Sequence, residues 1–183
     1  MPFPSARSRI WVMLLGCALL VWAAMAQAEP VRFVGTFAGS AEVLTNEGTR
    51  IPRDMSVTIE EADEGFLVKW TSVTYRPDGR TKEKSYSIRF VESERDRVYA
   101  AAQKRNIFGH MEPLNPMKGE PYAWARIDGD TLTVYSLFVD ENGGYSLQQY
   151  DRTLAEGGMN LRFQVIVNGE IPRAVETFLT RVE

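Results

Sequence analysis

Gly157-Gly158-Met159-Asn160-Leu161-Arg162-Phe163-Gln164-Val165-Ile166-Val167-Asn168-Gly169 is the stretch on which the fold turns. Met159, Leu161, Phe163, Val165 and Val167 fall at every second position, with Asn160, Arg162 and Gln164 between them. A period of two sends the two sets to opposite faces of an extended strand, whereas a helix spaces its apolar residues three and four apart. Gly-Gly before the run and Asn-Gly after it tolerate the positive φ that tight hairpin turns require. The segment reads as a half-buried strand with a hairpin at each end.

The same unit recurs upstream. Tyr86, Ile88 and Phe90 alternate with Ser85, Ser87 and Arg89, and Met55, Val57 and Ile59 alternate with Asp54, Ser56, Thr58 and Glu60. Further turn signals stand at Asn46-Glu47-Gly48, Glu64-Gly65, Asp78-Gly79, Asp128-Gly129 and Asn142-Gly143-Gly144. Such spacing predicts an all-β chain: an antiparallel up-and-down meander of about ten strands from Val31 onward, without a helix. That many strands with one wet face each leave exposed edges unless the sheet closes, so a barrel is expected, with a two-sheet sandwich as the alternative. In the first strand Gly35 and Gly39 share a face with Phe33, Phe37, Ala41 and Val43, and inward glycines let a strand bend around a barrel.

The N-terminus reads differently. Arg7 and Arg9 precede an apolar run from Ile10 to Met25, and Ala26-Gln27-Ala28 offers small residues where a signal peptidase needs them. The expectation is a signal peptide over residues 1–28, cleaved after Ala28, and a single domain over residues 29–183 exported to the periplasm or beyond. The apolar run is shorter than the roughly 20 residues that span a bilayer, so no stable membrane insertion is expected after cleavage. Leu14-Leu15-Gly16-Cys17 looks like a lipidation site, but the apolar run continues past Cys17 where a polar tether is usual. Cys17 is the one cysteine, so the mature chain has no disulfide and folds on burial alone. Loss of the leader arginines takes the formal charge from −3 to −5, and an acidic chain without a basic run argues against nucleic acid.

Phe33-Val34-Gly35-Thr36-Phe37 resembles the Gly-x-Trp element that opens the first strand of lipocalins and related calycin barrels, with Phe37 in the Trp place. In that family a late arginine packs over the aromatic and closes the barrel floor, and the resemblance implies this part for Arg181. It also implies a barrel with a prior for small apolar ligands. The C-terminal helix and the disulfide of true lipocalins are missing. The short Asn46–Gly48 turn leaves no room for the helical lid of fatty-acid-binding proteins. A haem-binding barrel family resembling nitrobindin carries a late histidine ligand, and this chain has none there.

Candidate chemistry is sparse. His110 is alone and cannot build a zinc site, which wants about four ligands. Glu60, Glu61, Asp63 and Glu64, and Glu92, Glu94 and Asp96, crowd hairpin ends, where carboxylates are usually solvated rather than tuned for acid–base work. No Gly-x-Ser-x-Gly elbow is present and the one cysteine leaves with the leader, so no enzyme activity is expected; no metal or cofactor is expected either. Trp124 and Arg126 share a face opposite Ala123, Ala125 and Ile127, a large-against-small pattern that suits a cavity wall. Trp70, Trp124, Arg126, Tyr135 and Arg152 are the candidate ligand-binding residues, with Gln148 and Tyr150 beside Arg152; a purely structural core role for the aromatics is the competing reading. One strand is apolar on both faces, Leu132, Val134 and Phe138 against Tyr135, Leu137 and Val139, so something is expected to cover it. The segment Lys104–Glu120, with Pro113, Pro116, Ile107, Phe108, Met111, Leu114 and Met117, is a plug for the core or a lid over a mouth. The expected function is an exported binding module for a small, mainly apolar ligand. A solid barrel that engages a homodimer partner or another envelope protein through the two-faced strand or that loop is the alternative.

Overall fold

The computed structural model describes residues 30–44, 48–105, 111–112 and 114–182. The expected leader with Cys17, and His110 in the long segment, lie outside the described residues. Phe33–Glu183 forms one compact unit.

The strands in chain order are β1 (Gly35–Leu44), β2 (Arg50–Ala62), β3 (Gly65–Tyr75), β4 (Thr81–Glu92), β5 (Val98–Ala101), β6 (Lys104–Arg105), β7 (Met111–Glu112), β8 (Tyr122–Asp128), β9 (Thr131–Val139), β10 (Tyr145–Ala155), β11 (Gly158–Val167) and β12 (Glu170–Arg181). Apart from the small β6–β7 hairpin, each pairs antiparallel with the next, and β1 pairs with β12, so ten strands close into a barrel. The meander and its closure are therefore observed, and the sandwich alternative falls. Closure at β1–β12 is narrow. Phe37 pairs with Arg181 and Ala38 with Thr180, and a methyl group on Gly39 would run into the Phe178 carbonyl oxygen. Here glycine serves close approach of two backbones.

The two ends of the barrel are unlike. The turns joining β2–β3, β8–β9 and β10–β11 lie at the end where Phe33, Phe37, Phe66, Phe90, Tyr99, Ile127, Leu132, Met159 and Leu179 are all buried. The Phe66 ring stands 5.4 Å from Phe90 and 5.0 Å from Tyr99, in stacked and edge-on contact. Arg181 holds its guanidinium 4.6 Å above the Phe37 ring and donates from Nη1 to the Val34 carbonyl at 2.9 Å. Arg181 thus covers the Phe37 ring and ties the end of β12 to the residue before β1.

At the opposite end lie the β3–β4, β9–β10 and β11–β12 turns. The wall is also thin there. β5 is only four residues long, and after the Ala102 N–H bonds Arg89 O the chain leaves the sheet until β8. Of the segment Lys104–Glu120, the apolar Ile107 and Phe108 lie outside the described residues. Its described turn Pro116–Lys118, capped by Asn115 Oδ1 accepting from the Met117 N–H at 2.9 Å, packs against β9, and Met117 is 77% exposed. Met117, one of the apolar residues of the expected plug, thus faces solvent.

Candidate functional site

Inside the second end the strands enclose a cavity of about 290 Å³. Alternation builds it: on β2 the inward set is Ile51, Arg53, Met55 and Val57, on β4 Lys82, Lys84 and Tyr86, and on β10 Gln148, Tyr150 and Arg152. β3 adds Trp70, Ser72 and Thr74, β11 adds Leu161, Phe163 and Val165, and β12 adds Arg173 and Leu179. Four rings form a belt across the interior. Tyr86 stacks on Trp70 at 5.1 Å, Trp70 lies 5.3 Å from Tyr150, and Tyr150 lies 4.7 Å from Phe163.

Arg152 lines the inner part of the cavity. Its register partners are Leu132 and Leu161, both apolar and buried, and it is itself 1% exposed. The guanidinium reaches the ring belt, with Cζ 5.2 Å from the Tyr150 ring centre and 5.6 Å from that of Trp70. Cation–π contact offsets part of the desolvation of a buried cation, but it supplies no hydrogen-bond acceptor. Nε and Nη1 are buried without a partner. Burial lowers the Arg152 pKa to about 10, against the opposing pull of Tyr150 and Asp151, so the group is still a cation at neutral pH. Burial likewise pushes the Tyr150 phenol up to about 12, and the neutral hydroxyl donates to Gln148 Oε1 at 2.9 Å. The Trp70 indole N–H lies close enough to the Tyr150 oxygen to oppose that rise, yet makes no bond of acceptable geometry, and Nε1 is buried unpaired.

The rim is charged in one sense. Arg53, Arg76, Lys82, Lys84 and Arg173 line the outer part of the cavity, so with Arg152 it takes six of the chain's 21 Lys and Arg, and no described Asp or Glu. Burial lowers the Arg53 pKa, as does the neighbouring Arg173; burial also lowers Lys84, followed by Lys82, Arg53 and Arg173. The charges that lower these pKa values are other cations, so the cluster repels itself, with Tyr150 alone opposing the shift at Arg53. The Arg53 Nε–H donates to the neutral Thr74 hydroxyl at 2.9 Å.

Of the residues expected to bind a ligand, Trp70 and Arg152 stand together in the cavity. Trp124, Arg126 and Tyr135 stand on the outside of the barrel and require a correction. The register Tyr99–Ala125–Val134 turns Ala123, Ala125 and Ile127 inward, where the rings of the packed end leave room only for small or compact side chains. The large members of the alternation consequently face outward: Trp124 stacks on Tyr135 at 4.8 Å, and Arg126 pairs with Asp128. Beside them Thr133 donates to Asp151 at 2.8 Å and Gln164 to Gln149 at 2.9 Å, a polar cross-strand ladder on the outer face. The rim cations were missed in the sequence, although their signal is there: Arg53, Lys84 and Arg173 each continue, two residues outward, the inward parity of Met55, Tyr86 and Val175.

No family model and no curated protein matches the chain. Among solved structures, one from Nitrosomonas europaea, described as "a putative AttH", aligns at 11% identity over 79% of this chain and 48% of that one, with a TM-score of 0.24. The chain spans about half the length of that protein, and a likeness so slight carries no function across.

Proposed function

We propose that this chain is an exported, lipocalin-like binding module that holds a small, mainly apolar ligand inside the barrel. One observation carries the reading: a barrel packed with rings at one end keeps about 290 Å³ unfilled at the other. Protein interiors close-pack, so unfilled volume of that size beside an aromatic belt needs a reason. The size lies just below the ~300–1,000 Å³ usual for ligand pockets, which suits a small guest. Met55, Val57, Trp70, Leu161, Phe163 and Leu179 supply apolar wall, and Tyr150, Gln148 and Arg152 supply few and fixed polar groups, the composition such sites use. Cleavage after Ala28 and a periplasmic address complete the proposal.

Native mass spectrometry of the mature protein, purified gently from its own envelope, tests it. The expected spectrum shows a small-molecule adduct that disappears in Leu161→Trp, a variant that fills the cavity while circular dichroism still reports a sheet. A bare polypeptide mass, with tryptophan fluorescence indifferent to added alcohols, fatty acids, haem and quinones, overturns it.

A further inference from the structure

Granting that reading, the charges specify which small molecule the cavity takes. We infer that the ligand is acidic at both ends: one anionic group docks on the Arg152 guanidinium inside, a second on the Arg53, Lys84 and Arg173 cluster at the rim, and an apolar spacer lies along the Tyr86–Trp70–Tyr150–Phe163 belt.

The inner end rests on an orphaned charge. A buried cation without an acceptor is among the costliest groups a fold can carry, and it is normally paired. Arg152 lies among Leu132, Leu161, Trp70 and Tyr150, with two of its three nitrogens unpartnered. A planar guanidinium with free N–H groups fits a carboxylate or a phosphate oxygen pair. The outer end rests on a different fact. The chain as a whole is acidic, yet it concentrates cations at this one opening and keeps described carboxylates off the lining. Hydrated rim cations on their own would only steer an anion inward. Here, however, Arg53 is half-buried and meets Arg173 and Lys84 rather than an acid, which leaves a second set of positive groups waiting for a counter-charge.

Spacing separates the two ends. The Arg152 guanidinium lies at the Tyr150 ring, Tyr150 pairs with Phe163, and Arg173 pairs with Val165 two positions further along β11. Two strand residues rise about 7 Å, so the rim position of Arg173 is staggered outward from Arg152, with Arg53 reaching in toward Tyr150 between them. A monoacid would satisfy one end and leave the other unpaired. A ligand with acids held apart by a short aliphatic or aromatic spacer satisfies both.

The test is a matched series on the full mature protein, followed by calorimetry and tryptophan fluorescence: octanedioate, octanoate, octyl phosphate and octanol. Octanedioate is expected to bind at least tenfold more tightly than octanoate. Arg152→Met and the rim variant Lys84→Gln/Arg173→Gln are each expected to reduce its affinity at least tenfold and bring it to the level of octanoate. The rim residues are exposed, so that double variant keeps its fold whatever becomes of Arg152→Met. Octanoate equal to octanedioate overturns the inference, as does octyl phosphate equal to it, since total charge and not two-ended placement would then be read. Octanol binding as tightly as any acid overturns it while leaving the binding module standing. Silence toward all four sinks both.

Discussion

β2, β3 and β4 bring Ile59, Val68 and Ile88 to one level of the barrel interior; six residues along, the same ladder brings Arg53, Thr74 and Lys82 to another. The first level belongs to a close-packed core, the second to a wet and self-repelling rim. Sheet hydrogen bonding is continuous between them, so the difference lies wholly in the inward side chains. Backbone pairing sets the cylinder, and side chains decide which end of it is solid. A molecule built this way stores its stability at one end and leaves the other unfilled.

The division breaks most visibly under truncation of aromatic rings. Phe66→Ala at the packed end is expected to cost about 3–5 kcal/mol, since it removes contacts with Phe90 and Tyr99 that nothing refills. Phe163→Ala, half-buried beside the cavity, is expected to cost only about 1–2 kcal/mol, because its ring already borders empty space. Urea unfolding of the two variants measures the contrast directly, and equal losses would mean that the two ends share one core.

Arg152 stands on the boundary, and its replacement acts in the opposite direction. Arg152→Met exchanges an unpaired buried cation for a flexible apolar side chain of similar reach, so the ligand-free protein is expected to gain about 1–4 kcal/mol. A gain in unfolding midpoint without ligand, together with a loss of binding, is the signature of a residue kept for function at a cost to stability. Should Arg152→Met unfold more easily than the parent, the guanidinium would be a structural tie and the boundary would move outward.

Gly39→Ala probes the seam that closes the barrel. The added methyl meets the Phe178 carbonyl and the Leu179 side chain, and backbone does not yield as a flexible side chain does. The expected loss is about 1–3 kcal/mol. Thermal unfolding distinguishes this from Gly143→Ala, which would meet no neighbouring atom but is held at φ 81° and so feels only local backbone strain.

The cylinder was legible in the sequence because period-two alternation and glycine turns are local signals, and closure followed from the need to hide edges. The site was legible only in part. Gln148, Tyr150 and Arg152 share one face of a strand in any register, and the interior is where a barrel sends the face that continues into Leu154. Trp124 and Arg126 misled because alternation separates two faces without saying which is inside. That choice is made by neighbours distant in sequence, here Tyr99 and Val134, whose bulk admits alanine and excludes tryptophan. The rim cations escaped for a related reason. Lysine and arginine at a strand end read as ordinary solvated residues until closure brings Arg53, Lys84 and Arg173 from three strands to one opening.

The smallest effect sharpens the boundary with pH. The Tyr150 phenol titrates near 10 in an unfolded chain and at about 12 in the folded one, because burial disfavours the phenolate. A neutral acid held neutral by the fold contributes nothing at pH 7. Above pH 10 the unfolded chain ionises while the folded one does not, so stability falls as pH rises and levels off only beyond the folded value. At pH 11 the loss from this group is about 1 kcal/mol. Tyr150→Phe removes the titration together with the hydrogen bond to Gln148, worth about 1 kcal/mol at neutral pH. The variant is therefore expected to be the less stable protein at pH 8 and to match its parent near pH 11, as read by urea unfolding at each pH. A stability difference that stays constant over that range would mean that the Tyr150 hydroxyl is hydrated, with water from the rim reaching past the ring belt to Arg152.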